Sequence, residues 1–146
     1  MITVHNISKQ YRKVQALSGI SFSVGKGEIF GLIGPDGAGK TTLFRILTTL
    51  ILADSGTATL NGWDIVHDYS RIRENVGYMP GRFSLYPTMT VEENLDFFAT
   101  LFRTTIAENY ELIKDIYSQI EPFKDRMAGK LSGGMKQKLA LSCALI

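Results

Sequence analysis

Gly34-Pro-Asp-Gly-Ala-Gly-Lys-Thr41 carries the spacing G-x-x-x-x-G-K-[ST] at each fixed position. These residue types suit one chemistry, the holding of a phosphate chain. Gly34, Gly37 and Gly39 let the backbone curl, so that successive N–H groups, with those of Asp36 and Ala38 among them, aim at one anion. A helix beginning just after the loop puts its positive end at the same place. Lys40 is then a cation for the β- and γ-phosphates, and the Thr41 hydroxyl is a ligand for Mg²⁺, an ion that keeps several waters and phosphate oxygens. Thr42 is placed to bond the α-phosphate. The loop alone does not choose ATP over GTP. A guanine-reading Asn-Lys-x-Asp is absent, which leans towards ATP.

Such a loop needs a strand before it and a helix after it. Glu28–Ile33 is nearly continuous apolar, as expected of a strand covered on both faces. Thr41–Leu52 carries apolar residues at Leu43, Ile46, Leu47, Leu50 and Ile51, a helical stripe. Upstream, Ile2–Ile7 and Gly19–Val24 alternate as half-buried strands, and Gly25-Lys-Gly27 is a turn. Downstream, Gly56–Leu60 reads as a strand ending in the turn pair Asn61-Gly62. Tyr69–Glu74 is a short helix and Val76–Met79 a short strand running into Pro80-Gly81. Thr90-Val-Glu-Glu93 is a capping box opening a helix to about Phe102. Ala107–Ile120 is a further helix closed by Pro122, and Ser132 caps a last one from Gly133 onwards.

The remaining composition is ordinary for a globular chain. Of 146 residues, 45% are apolar and 21% charged, enough for one compact domain with a real core. The net charge of +2, with acids and bases well mixed, argues against a nucleic-acid or anionic-membrane surface. Cys143 is the one cysteine, so an internal disulfide is excluded, and its apolar surroundings point to burial. His5 and His67 stand alone without ligand spacing. The start lacks a signal-peptide pattern, and no apolar run approaches the ~18–20 residues that span a bilayer. The sequence stops inside a helical pattern, so it reads as part of a longer domain.

Beyond the loop, the chain resembles the ATP-binding subunits of ABC transporters, over essentially its whole length. The most particular element is Leu131-Ser-Gly-Gly-Met-Lys-Gln137, which is similar to the family signature Leu-Ser-Gly-Gly-Gln with Met135 as a variation. Ser132 and the N–H groups of Gly133 and Gly134 open a helix, a second anion site. The resemblance implies that this site grips a γ-phosphate held by the opposite subunit, so that two subunits sandwich two ATP molecules head to tail. It implies the fold as well: an α/β P-loop NTPase core with an N-terminal antiparallel β part and a helical subdomain, the C-terminal strands of the sheet missing. Residues 1–80 would be the β subdomain and loop core, and residues 81–146 the Q-loop, helical subdomain and signature helix. Tyr11 stands where the family places an aromatic that stacks on adenine, although a Tyr after a strand also serves packing. Ser84–Leu95 looks like the corresponding stretch of exporters paired with ABC-2 class membrane proteins. The implied partners are a second ATP-binding subunit and a membrane-spanning permease, with no nucleic acid. The implied place is the cytoplasmic face of the cell membrane.

Two departures qualify the resemblance. At the Q-loop the family reads Gly-Tyr-x-Pro-Gln, but this chain has Gly77-Tyr-Met-Pro-Gly81. Gly81 can neither ligate Mg²⁺ nor hold water, and Arg82, next along, cannot ligate Mg²⁺ either. The Asp-Glu pair that the family places after the signature helix is also absent, so no catalytic residue is assigned. Leu50-Ile-Leu-Ala-Asp54 has the texture of that strand, but it reads as a helix end with Ser55 in place of Glu. These residues alone are expected to bind nucleotide weakly at most and not to turn it over. Three readings remain: an exporter ATPase, an ABC-type ATPase without a membrane partner, and a non-hydrolysing nucleotide-binding module.

Overall fold

The computed structural model describes residues 1–81 and 84–146. Arg82 lies outside the described residues. Two compact units divide the chain, Met1–Val76 and Gly77–Ile146.

The first unit is built on an antiparallel sheet. β1 (Ile2–Tyr11) and β2 (Val14–Val24) form a hairpin through Arg12 and Lys13, and both strands run further than alternation predicts. The ladder carries the pairing across polar positions such as Gln10 opposite Gln15, where sequence pattern gives no signal. β3 (Ser55–Leu60) pairs with the other edge of β1, and β4 (Trp63–Asp64) pairs with β3, giving the order β2-β1-β3-β4. Asn61 and Gly62, both left-handed at φ 51° and 85°, make the expected two-residue turn.

α1 (Lys40–Leu47) lays Leu43, Ile46 and Leu47 against Val4, Ile7, Leu17, Ala58 and Leu60 of the sheet, with Ile65 and Ile72 completing the core. Each fully buried aliphatic here contributes about 1.5–3 kcal/mol. The helix ends earlier than its apolar stripe predicts. The Thr48 hydroxyl turns back to the Phe44 carbonyl at 2.8 Å, and Thr49 takes φ 60°. From α2 (Tyr69–Glu74), Arg73 donates to the Thr49 hydroxyl at 2.8 Å and to its carbonyl at 2.7 Å. The guanidinium thus holds the left-handed residue just past the helix end and places its charge beside the negative end of α1.

Two predicted strands do not form. Glu28–Ile33 and Val76–Met79 carry no ladder, and no parallel pair occurs among the described residues. A strand is stable only with a hydrogen-bonded neighbour, and apolar sequence does not supply one. Ile29 and Ile33 are left almost fully exposed, at 102% and 96%, while Phe30 stacks on Phe22 with ring centroids 5.1 Å apart.

The second unit is helical: α3 (Val91–Leu101), α4 (Tyr110–Tyr117) and α5 (Gly133–Leu145). Its core is built from Val91, Leu95 and Ala99 of α3, Ile113 and Tyr117 of α4, and Leu139 and Cys143 of α5. The capping box at α3 forms in both directions: Glu93 N–H donates to the Thr90 hydroxyl at 3.1 Å, and Thr90 N–H to the Glu93 carboxylate at 2.7 Å. α4 starts later than the pattern predicts. Thr105 and Glu108 exchange two backbone-to-side-chain bonds and hold a turn ahead of it. Burial pushes the Cys143 thiol up to about 12, in keeping with its packing role. Among the described residues, no helix is long and apolar enough to cross a membrane.

Candidate functional site

The glycine loop lies between the end of β2 and the start of α1. Gly37 and Gly39 are both left-handed, at φ 83° and 87°. Gly39 is the N-cap of α1, and no side chain caps the helix. Among the described residues the first N–H groups of the helix have no side-chain partner, the electrostatic condition for an anion. Gly39 also lies against β2: a Cβ there would sit 2.2 Å from the Ala16 carbonyl oxygen and 2.8 Å from the Leu17 side chain. The hairpin thus sets where the loop ends and the helix begins.

Lys40 reaches back over the loop and donates to the carbonyls of Gly34 at 2.6 Å and Pro35 at 2.7 Å. An ammonium has three donors, so one remains for a ligand. Ala38 N–H closes a turn onto the Pro35 carbonyl at 3.2 Å. Asp36, Gly37, Ala38 and Thr41 are exposed, while Gly34 and Thr42 are half-buried. Among the described residues, no group of three or more His, Cys, Asp or Glu side chains is placed to hold a metal ion. A metal at Thr41 would therefore take most of its ligands from phosphate and water, as Mg²⁺ does.

Tyr11 ends β1, 43% exposed, paired with Val14 of β2. Two residues beyond Val14, Ala16 meets Gly39, so a short stretch of β2 links the aromatic to the loop. Asp54 joins neither a metal site nor the loop. It receives the Lys9 ammonium at 2.6 Å and the Gln10 N–H at 2.7 Å, and these bonds hold its carboxyl below the usual range, Lys9 foremost. The expected helix end does not fall here: α1 stops at Leu47, and residues 50–54 form an irregular bend that leads into β3. Lys9, in turn, lies 5.8 Å from the centroid of the Tyr11 ring. Sequence reasoning passed over Lys9, although positions i and i+2 of a strand share a face.

Ser132, Gly133 and Gly134 belong to the second unit. Ser132 caps α5 by accepting from Met135 N–H at 3.4 Å, and Leu131 is buried beneath it. A Cβ at Gly133 or Gly134 would meet nothing within 4 Å, and both residues are exposed. Gly81 is likewise open and exposed. Asn94 is a residue the sequence did not flag. Fully buried, it accepts from Tyr86 N–H and donates to the carbonyls of Tyr86, Met89 and Thr90, so it shapes the segment before α3.

A G-x-x-x-x-G-K-[ST] loop at an uncapped helix start is the local geometry of the α/β class of phosphate-loop nucleotide-binding proteins. The family model for ABC transporters matches residues 17–146, and the chain belongs to that family. It is 40% identical over 150 residues to the probable multidrug ABC transporter ATP-binding protein YbhF of Escherichia coli, covering 100% of this chain and 26% of that protein. It is 38% identical over 155 residues to the sulfate/thiosulfate import ATP-binding protein CysA of Methylococcus capsulatus, covering 99% of this chain and 43% of that one. A solved ATP-binding subunit of an ABC transporter superposes with a TM-score of 0.83 at 28% identity, covering 98% of this chain and 60% of the solved one. The chain therefore spans less than two thirds of each of these relatives.

Proposed function

We propose that these residues form the nucleotide-holding part of an ATP-binding subunit that powers an ABC-type membrane exporter. The observation that carries the reading is the loop geometry: an uncapped α1 start, fixed on β2 by Gly39, with Lys40 folded over it. In this reading the loop from Gly34 to Thr42 surrounds the phosphates, with the N–H groups of Gly37 and of Gly39 to Thr42 free to donate and Ala38 holding the turn, and Lys40 supplies charge to the outer two. Thr41 ligates Mg²⁺, Thr42 bonds the α-phosphate and Tyr11 stacks on the base. Bound Mg²⁺ would neutralise phosphate charge.

Ser132, Gly133 and Gly134 would close on the nucleotide of a second ATP-binding subunit, head to tail. Among the described residues nothing lies within 4 Å of a Cβ at 133 or 134, which favours a role for these glycines at an outside contact. The helical unit, with Ser84–Leu95, would face a membrane-spanning permease at the cytoplasmic side. Export rests on that stretch, since the relatives include a protein named for import. Nucleic acid is not an expected partner.

Turnover is assigned to the whole protein, and the 146 residues are proposed to bind without hydrolysing. A second reading, a non-hydrolysing nucleotide module, is favoured by Gly81, which brings no side chain to the place of the family glutamine. The test is calorimetric titration with Mg·ATP, together with phosphate-release assays. Lys40→Ala should weaken binding by about tenfold or more, with no phosphate release from either form. Phosphate release abolished by Lys40→Ala would overturn the proposal that these residues do not hydrolyse. Equal ATP affinity in both proteins would overturn the loop assignment.

A further inference from the structure

Asp54 is held in place three times over at the end of β1. Its N–H donates to the Ser8 carbonyl at 2.9 Å, and its carboxylate takes the Gln10 N–H at 2.7 Å and the Lys9 ammonium at 2.6 Å. One bond fixes the Asp54 main chain and two fix its carboxylate, whose side chain is 47% exposed. Lys9 is mostly covered, its side chain only 17% exposed, and it is the middle member of the chain from Asp54 to Tyr11. Its ammonium stands over the Tyr11 ring, 5.8 Å from the centroid, within the range of a cation–π contact. Lys9 and Tyr11 project from the same face of β1, so this contact follows from strand geometry.

We infer that Asp54 and Lys9 are positioning residues for the base-stacking ring: Asp54 fixes Lys9 over one face of Tyr11, which leaves the opposite face as the only one open to a nucleotide base. The inference deepens the proposed nucleotide site and rests on it. Two physical consequences follow. A ring held from behind loses less freedom when a base stacks on it, so the base binds a preorganised surface. The Lys9 charge is already matched by Asp54, so its contribution lies at the base and not at the phosphates.

The experiment compares Mg·ATP with base-free tripolyphosphate by titration calorimetry. The proteins are wild type, Lys9→Met, Lys9→Arg, Asp54→Asn, Tyr11→Leu and the Lys9→Met/Tyr11→Leu double variant. Lys9→Met keeps the aliphatic stem, and Asp54→Asn keeps an acceptor for Gln10. Both should weaken ATP by about two- to fivefold and leave tripolyphosphate unchanged. Lys9→Arg should restore ATP affinity, because a guanidinium both pairs with a carboxylate and stacks on a ring. In the Tyr11→Leu background, Lys9→Met should have no further effect. Equal weakening of both ligands would overturn the inference, as would an undiminished Lys9→Met effect without the ring. Tighter ATP binding by Lys9→Met would overturn it too, since Lys9 would then compete with the base. If wild type binds tripolyphosphate as well as ATP, the base platform fails while the loop assignment stands. If it binds neither, both fail.

Discussion

A methyl group on Gly39 would lie 2.2 Å from the carbonyl oxygen of Ala16. The last glycine of the loop is therefore the point where the helix start touches the hairpin. Gly39→Ala meets two obstacles, the contact with β2 and a φ of 87°. It should destabilise the first unit by about 1–3 kcal/mol and reduce tripolyphosphate binding. Thermal unfolding and calorimetry, read together, check both effects. Unchanged values would mean that the loop is not set by β2.

Arg73 closes the other end of the same helix through its two bonds to Thr49. Arg73→Met keeps the stem but leaves the hydroxyl and carbonyl of the left-handed Thr49 without their donor. A loss of about 1.5–3 kcal/mol is expected in urea unfolding. Phosphate affinity should change far less, because the lesion is at the helix end remote from the loop.

Asn94→Ala would remove four hydrogen bonds from a fully buried position. The Tyr86 N–H would lose its partner, while the carbonyls of Tyr86, Met89 and Thr90 keep backbone donors from Met89, Ala128 and residue 94. The expected destabilisation is about 1–3 kcal/mol, above the ~0.5–2 kcal/mol for Thr90→Ala at the α3 cap. Denaturant midpoints of the two variants test the ranking.

Gly134→Ala separates stability from partnership. A Cβ there meets nothing, so the helix should gain about 0.5–1 kcal/mol. If α5 meets the nucleotide of a second subunit, the same change should block ATP-dependent dimerisation, as read by light scattering. A variant that is both more stable and still dimerises would remove Gly134 from the proposed interface.

Burial raises the Cys143 thiol from 9.0 to about 12, and the Tyr117 hydroxyl from 10.0 to about 12. In the unfolded chain each proton leaves nearer the lower value. Their stabilising effect is thus complete below about pH 9 and is lost as pH rises towards about 12. Melting temperature should fall across that window, less steeply in Cys143→Ala. The thiol should also resist iodoacetamide at neutral pH until the chain unfolds.

The features legible in the sequence are those whose physics closes within a few residues. The Thr90–Glu93 box, the Ser132 cap and the Asn61-Gly62 turn each satisfy backbone groups three residues away or fewer, so residue type and spacing suffice. The phosphate loop is of this kind, since its curl and its lysine lie within one short segment. What needed the tertiary structure depends on partners far along the chain. Glu28–Ile33 has the composition of a strand and no neighbour to pair with, and no local pattern reveals that. Asp54 resembles a catalytic carboxylate in sequence, but the fold brings Lys9 and Gln10 to it across 45 and 44 residues and makes it a brace. The approach of Gly39 to Ala16 likewise joins segments that only the folded hairpin sets together. Sequence determined which residues could curl around a phosphate. Tertiary structure decided what holds that curl in place, because strand pairing, ion pairing and close packing form between residues that spacing does not relate.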